Sequence, residues 1–394
     1  MKLLLQSLMD LAKGARYVTL AIVAVLGFTA IPATAKDAIR IGAVTSVTGP
    51  ASYLGEPEKN ALEFMVGEVN KKGGVLGRPL ELVLYDDASN AERARTMMQR
   101  LLTQDRVSAV MGSSITASSL AMEALAARHG VPQITMAGAR ILTDPVKKWL
   151  FSVTESDVMS ARVIYKHMNE KGIAKLALLS STTGYGRAAR EIFIEEAQKF
   201  KIKIVMDETY AVGDSDMTAQ LTRIRGNKEV QAIINLDAGN QPAIVARNRV
   251  ALGIKVPLYM SHSMAAPEFP SLAGRSAEGI RMNAPTMLVA EQMPQGSKER
   301  ELGMAFRKLY QDRYGRVPNT FAGYGHDALV LLADAIRRAG STDPAAIRDA
   351  LEKTRGLVGV TSTLTFAPNN HGGVFEQSSL RMVEIRNGGF VLID

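Results

Sequence analysis

Along most of this chain, apolar strand-like runs alternate with amphipathic helical stretches, and the alternation comes in two successive sets. No single residue constrains the fold as much. Strand-helix units joined by short connections are best satisfied by a parallel sheet covered with helices on both faces. The first set reads as strand Ile39–Thr45 and helix Glu56–Lys72, with Pro57 in its first turn and Gly73-Gly74 as its stop, then strand Leu80–Tyr85. Asn90 caps a helix running to about Gln104; Val107–Met111 is a buried strand, Thr116–Arg128 a helix and Val131–Thr135 a closing strand. The second set runs helix Ser156–Lys171, strand Lys175–Leu179, helix Tyr185–Phe200, strand Ile204–Thr209, helix Met217–Gly226, strand Ala232–Leu236, helix Gln241–Leu252 and strand Pro257–Met260. The fold class expected is α/β, as two doubly wound parallel-sheet lobes.

The tail differs. Ser297–Tyr314 and Thr320–Ala339 are long amphipathic helices, Pro344–Lys353 a shorter one, and short strands follow at Thr363–Phe366, Leu380–Ile385 and Phe390–Ile393. A helix pair without intervening strands cannot found a third α/β domain, so it is expected to return over the first lobe. The chain then crosses between lobes near Ser156, Pro285 and Pro368. The first lobe takes 37–156 plus 287–367, and the second 157–286 plus 368–394. Several crossings make a hinge, and hinge closure around a ligand follows.

Residues 1–35 read as an export leader. Lys13 and Arg16 supply positive charge, Val18–Ala30 an apolar core, and Ala33-Thr34-Ala35 a small-residue cleavage site, placing the cut near Ala35/Lys36. The core is short for a membrane span, although an uncleaved anchor and a start at Met9 both stay open. The sequence has no cysteine, which excludes a lipid-anchored cysteine, a disulfide framework and thiolate metal sites. Two substantial cores must then carry stability, and 46% hydrophobic residues can build them. The net charge of +8 is spread along the chain without aromatic interleaving, so no nucleic-acid face is expected.

Candidate site residues fall where strands end, since ligands of such sheets bind beyond the carboxyl ends. Thr45–Pro50 is either a ligand-facing loop of hydroxyls and amides or an ordinary turn. Gly112-Ser113-Ser114-Ile115-Thr116 opens a helix whose free N–H groups suit a carboxylate, and Ser or Thr there is equally a structural cap. Ala137-Gly138-Ala139-Arg140 lets a ligand approach the backbone or is a tight turn; Arg140 pairs with a carboxylate or lies in solvent, with solvent preferred. Tyr185, between two glycines, suits a wall or lid. Asp237 and the run Ser261-His262-Ser263 end later strands. No nucleotide loop, nucleophile elbow or metal-ligand spacing accompanies His262, so neither catalysis nor a cofactor is expected.

The segments IRIGAVTSVTGPASYLGEPE, EVNKKGGVLGRPLELVLYDDASNAERA, HGVPQIT, YGRAARE, VALGIKVPLY and GYGHDALVLLADAIRRAG resemble the type I periplasmic solute-binding proteins of branched-chain amino acid ABC transporters. The resemblance implies a two-lobe periplasmic receptor, monomeric, closing on a small carboxylate and delivering it to an inner-membrane permease with two ATPase subunits. It carries binding positions onto Thr116, Ala137, Ala139 and Tyr185. Ser114 joins Thr116 and Ala137 in holding the carboxylate. Three positions depart from the pattern. Leu54 replaces the first-loop tyrosine, with Tyr53 one place earlier; Ala238 replaces a second-lobe tyrosine; and Ser263, beside His262, replaces the acid that holds the ligand's ammonium. Asp237 is a substitute one strand away. Without one, a buried ammonium is costly, and the openings SVTGP and LGEPE with KKWLF and AEQMP resemble a subgroup associated with aromatic carboxylates. Amino acid and aromatic acid both stay open, with the aromatic acid preferred. The alternatives are a soluble receptor feeding a chemotaxis or sensor system, and an exported α/β hydrolase.

Overall fold

The computed structural model describes residues 37–373 and 379–394, so the leader and its apolar core lie outside the described residues. The first sheet contains β1 (Ile39–Thr45), β2 (Leu80–Asp86), β3 (Val110–Gly112), β4 (Gln133–Thr135) and β5 (Leu150–Ser152), all parallel, in the order β2-β1-β3-β4-β5. Its helices are α1 (Ser52–Lys71), α2 (Ala91–Arg100) and α3 (Thr116–His129). Sheet strands buried on both faces need unbroken apolar runs, and β1 supplies Ile39, Ile41, Ala43 and Val44, all buried.

The second sheet begins after α4 (Asp157–Glu170). It comprises β6 (Lys175–Ser181), β7 (Lys203–Tyr210), β8 (Ala232–Leu236), β9 (Leu258–Met260) and β10 (Arg281–Pro285), with α5 (Gly184–Lys199), α6 (Thr218–Gly226), α7 (Gln241–Ala251) and α8 (Glu268–Ala273) between them. After β10 come α9 (Lys298–Tyr314), α10 (Thr320–Ala339), α11 (Pro344–Glu352) and the small hairpin β11 (Leu357–Val358) and β12 (Thr363–Leu364). Finally β13 (Leu380–Arg386) and β14 (Gly389–Leu392) add antiparallel to β10, giving the order β14-β13-β10-β9-β8-β6-β7.

The five parallel strands of each sheet share one winding: the second strand lies outside the first, and the third lies on the first strand's other side. Each sheet therefore reverses direction between its first and third strands, β1/β3 and β6/β8, and such a switch point is where doubly wound sheets hold ligands. The long helix pair packs against α1 beside the first sheet. Tyr314 donates its hydroxyl to Asn60 O at 2.8 Å, and Gly325 of α10 lies against the α1 backbone at Glu58, where a side chain would clash.

Several boundaries differ from the sequence expectation. Helix α1 starts at Ser52 rather than Glu56, because Ser52 and Leu54 already bond back to Gly49 and Ala51; Pro57 then sits inside the helix and leaves one N–H out of the ladder. Helix α2 ends at Arg100, continued by a wider π-turn over Leu101–Asp105. Up to Gly373 the chain is still on the first sheet, past the crossing expected near Pro368. His371 stacks on Phe151 with ring centres 4.1 Å apart, and its carbonyl accepts from Ser152 N, which keeps this stretch on β5.

Candidate functional site

The first-lobe wall is assembled at the β1/β3 switch point. Gly112 ends β3 at φ +115, and a β-carbon there would run into the carbonyl of Val44, so only glycine lets the two strand ends lie together. The loops beyond are stitched by hydroxyls. Ser113 Oγ donates to Asp87 at 2.6 Å, Ser114 Oγ accepts from Ser46 N at 3.0 Å, and Ser114 donates in turn to the buried carboxylate of Glu58. Ser114, a candidate for the ligand, is thus spent within the lobe. Thr116 is different. It opens α3 and is half-buried, its hydroxyl has no hydrogen-bond partner among the described residues, and Ile115 before it offers no side-chain cap to the helix N-terminus.

Ala137 donates its N–H to Thr135 Oγ1 at 3.1 Å and accepts from Thr154 Oγ1 at 3.1 Å, so both its backbone groups are already engaged. The carbonyl of Ala139 accepts from Leu142 N. Tyr53 stands edge-on to Phe321 at 5.9 Å, and burial together with the Asp237 charge pushes its phenol upward. Leu54 is half-buried against the same core.

The second-lobe wall comes from the first turn of α5. Thr183 caps the helix by accepting from Gly186 N at 2.9 Å, which aims Tyr185 inward. The Tyr185 hydroxyl donates to Asp157 Oδ1 at 3.0 Å and shares a hydrogen bond with Ser261 Oγ, also at 3.0 Å. Ser263 Oγ donates to Asp237 O at 2.7 Å. Asp237 accepts from the Tyr210 hydroxyl at 2.8 Å and from Ala238 N at 2.8 Å. Both of its carboxylate oxygens therefore have partners within the lobe, and burial raises its pKa.

His262 faces the other lobe. Its Nε2 lies 3.6 Å from where a β-carbon on Gly138 would stand, so the lobes touch here and glycine leaves the room. Burial lowers the imidazole to about 4, so the ring is neutral at physiological pH, and its Nδ1 has no protein partner. A second contact joins the lobes at Arg140, which pairs with Glu195 at 2.9 Å instead of lying free in solvent.

Five further residues shape this region that sequence reading did not single out. Tyr324 and Phe321 on α10 form an aromatic row with Tyr53, and Glu58, Glu155 and Asp157 are fully buried carboxylates at its base. Burial lifts Glu155 to about 8, Asp157 to about 7, and Glu58 well above the carboxylate range. Neither VTESD nor the sequence around Glu58 marks these acids by any local pattern.

A family model of periplasmic binding proteins matches residues 38–389. The chain belongs to the periplasmic binding protein family. Members of this family bind solutes and perform no chemistry on them. Among sequence relatives, the leucine-, isoleucine-, valine-, threonine- and alanine-binding protein of Pseudomonas aeruginosa is 26% identical over 333 residues, covering 84% of this chain and 86% of its own. An extracellular ligand-binding receptor from Rhodopseudomonas palustris has the same fold with TM-score 0.82 and 28% identity, covering 90% of this chain and 99% of its own. A branched-chain amino acid transporter substrate-binding protein from Streptococcus pneumoniae, solved in complex with isoleucine, gives TM-score 0.79 and 27% identity, covering 90% and 97%. As a binding protein of this fold, the chain has two lobes.

Proposed function

We propose that this binding protein is the periplasmic substrate-binding component of an ABC importer, which closes on one small carboxylate and delivers it to a membrane permease. Thr116 and the uncapped first turn of α3 supply the carboxylate's hydrogen-bond donors; a helix N-terminus carries about half a positive charge and suits an anion without arginine. Tyr53 and Leu54 form the apolar wall on one side, and Tyr185, His262 and Ser263 close it from the other. Ser114, Ala137, Ala139 and Asp237 shape these walls from behind.

The ligand class we favour is an aromatic carboxylate. The observation that carries it is how the wall facing Gly138 is already engaged. His262 is uncharged there, Ser263 is a hydroxyl bonded to the Asp237 carbonyl, and both Asp237 oxygens accept from Tyr210 and Ala238 N within the lobe, so an ammonium at that wall would have to share the one acid with those donors. A hydrophobic amino acid is the second reading. It is favoured by the names of the relatives and by the unpartnered Oδ2 of Asp157 nearby.

A thermal-shift screen separates the two. A ligand at a hundred times its Kd adds about 2.7 kcal/mol of stability. Stabilisation by benzoate- or phenylpropenoate-type acids supports the first reading, stabilisation by leucine-type amino acids alone the second, and silence from both sets removes the proposed function.

A further inference from the structure

Two carboxylates stand two positions apart on the segment that carries the chain from the first sheet into the second, and each is tied to a tyrosine of a different lobe. Glu155 accepts from the Tyr324 hydroxyl of α10 at 2.7 Å, and Asp157 accepts from the Tyr185 hydroxyl of α5 at 3.0 Å. Both acids are fully buried, and the second oxygen of each, Glu155 Oε1 and Asp157 Oδ2, has no partner in the protein.

The groups facing the pair offer no cation. From α10, Tyr324 and Asp327 act on Glu155; from α1, Glu58 acts on Tyr324. From α5, Tyr185 acts on Asp157, and Tyr185 is itself held by the Ser261 and Ser263 hydroxyls beyond β9. His262, across from Gly138 beside the Glu155 carbonyl, is neutral. No lysine or arginine is among the groups acting on either acid.

We propose that Glu155 and Asp157 are positioning residues that hold Tyr324 and Tyr185 at the two sides of the closed cleft, and that they take up protons as the lobes close. A carboxylate removed from water with no opposite charge beside it favours its protonated form, and on this proposal opening readmits water to the pair and restores ordinary acidity. Burial accordingly sets Glu155 at about 8 and Asp157 at about 7 in this structure. Since the closed form binds the protons more tightly, closure is favoured below these values and weakened as pH rises through them. The inference rests on closure of the two lobes and not on the identity of the ligand.

Small-angle scattering of the ligand-free protein from pH 5.5 to 9 tests it. The radius of gyration is expected to rise with a midpoint between pH 7 and 8. In the double variant Glu155→Gln/Asp157→Asn, whose amides stand in for the protonated acids, the protein is expected to stay compact at pH 9. If that variant fails to fold, Tyr324→Phe and Tyr185→Phe decide. Each removes a donor that favours the ionised acid, so each should move the midpoint upward, and an unmoved midpoint overturns the proposal. A radius independent of pH in the unsubstituted protein, or an unchanged transition in the double variant, also overturns it. Neither result bears on whether the ligand screen finds a ligand, so the two readings fail separately.

Discussion

Arg140, just past β4 in the first lobe, and Glu195, on α5 in the second, form an ion pair at 2.9 Å that spans the two lobes. The guanidinium holds the Glu195 carboxyl below its usual range. Both side chains are substantially exposed, so the pair is screened by water and salt. It is a direct polar contact between the lobes as they stand here.

Arg140→Ala should therefore weaken ligand affinity modestly, by roughly two- to five-fold at low ionic strength. The effect should shrink towards zero in high salt. Titration calorimetry at two salt concentrations checks this; a loss that is independent of salt would mean that Arg140 acts through something other than the pair.

Thr116 is a first-lobe candidate whose hydroxyl has no hydrogen-bond partner among the described residues. Thr116→Ala is expected to lower affinity by about 1 kcal/mol or more, a five-fold or greater rise in Kd, with little change in melting temperature. Ser114→Ala should show the opposite balance. It strips a donor from buried Glu58 and an acceptor from Ser46 N, costing roughly 1–3 kcal/mol of stability. Paired melting and binding measurements on both variants separate the roles.

Buried Asp327 pins the turn of the β11–β12 hairpin onto α10, accepting from Val360 N at 2.8 Å, Thr361 N at 2.9 Å and Thr361 Oγ1. Asp327→Ala leaves several buried donors unpaired and should cost roughly 3 kcal/mol or more. Chemical denaturation measures it, and a loss below about 1 kcal/mol would show that the hairpin relaxes to water.

The raised acids also shape stability against pH. Glu155 and Asp157 have folded pKa values of about 8 and about 7, above the ordinary carboxylate value they regain on unfolding. Their contribution is complete below the unfolded value and is lost as pH rises through 7 to 8. Glu384 is held low by Arg281 and Arg386 despite a burial penalty, and Glu208 by Arg223. These stabilise above the ordinary range and fail on acidification. The melting temperature should therefore decline on the alkaline side, and Glu155→Gln should flatten that decline; a wild-type curve level from pH 6 to 9 would contradict it.

Much of the fold was legible because parallel strands buried on both faces leave apolar runs: β1, β8 and α10 lie within a residue or so of where periodicity put them. Strands β5 and β10 were not foreseen. Leu150–Ser152 is three residues long beside Lys147 and Lys148, and Arg281–Pro285 mixes charge with apolar residues, so neither shows a period. The places of the candidate residues beyond strand ends were legible, but their partners were not. Whether Asp237 is free or bound to Tyr210 depends on a residue 27 positions away. The burial of Glu58, Glu155 and Asp157 is likewise a property of packing between distant helices, and no local pattern carries it.

The most direct measurement of the central claim is titration calorimetry of the purified protein with an aromatic carboxylate and with leucine. A single site for the aromatic acid, weakened by Thr116→Ala and absent for leucine, is the predicted result. Tight binding of leucine with none of the aromatic acid would contradict the ligand class, and binding of either that Thr116→Ala leaves untouched would contradict the placement of the carboxylate at the start of α3.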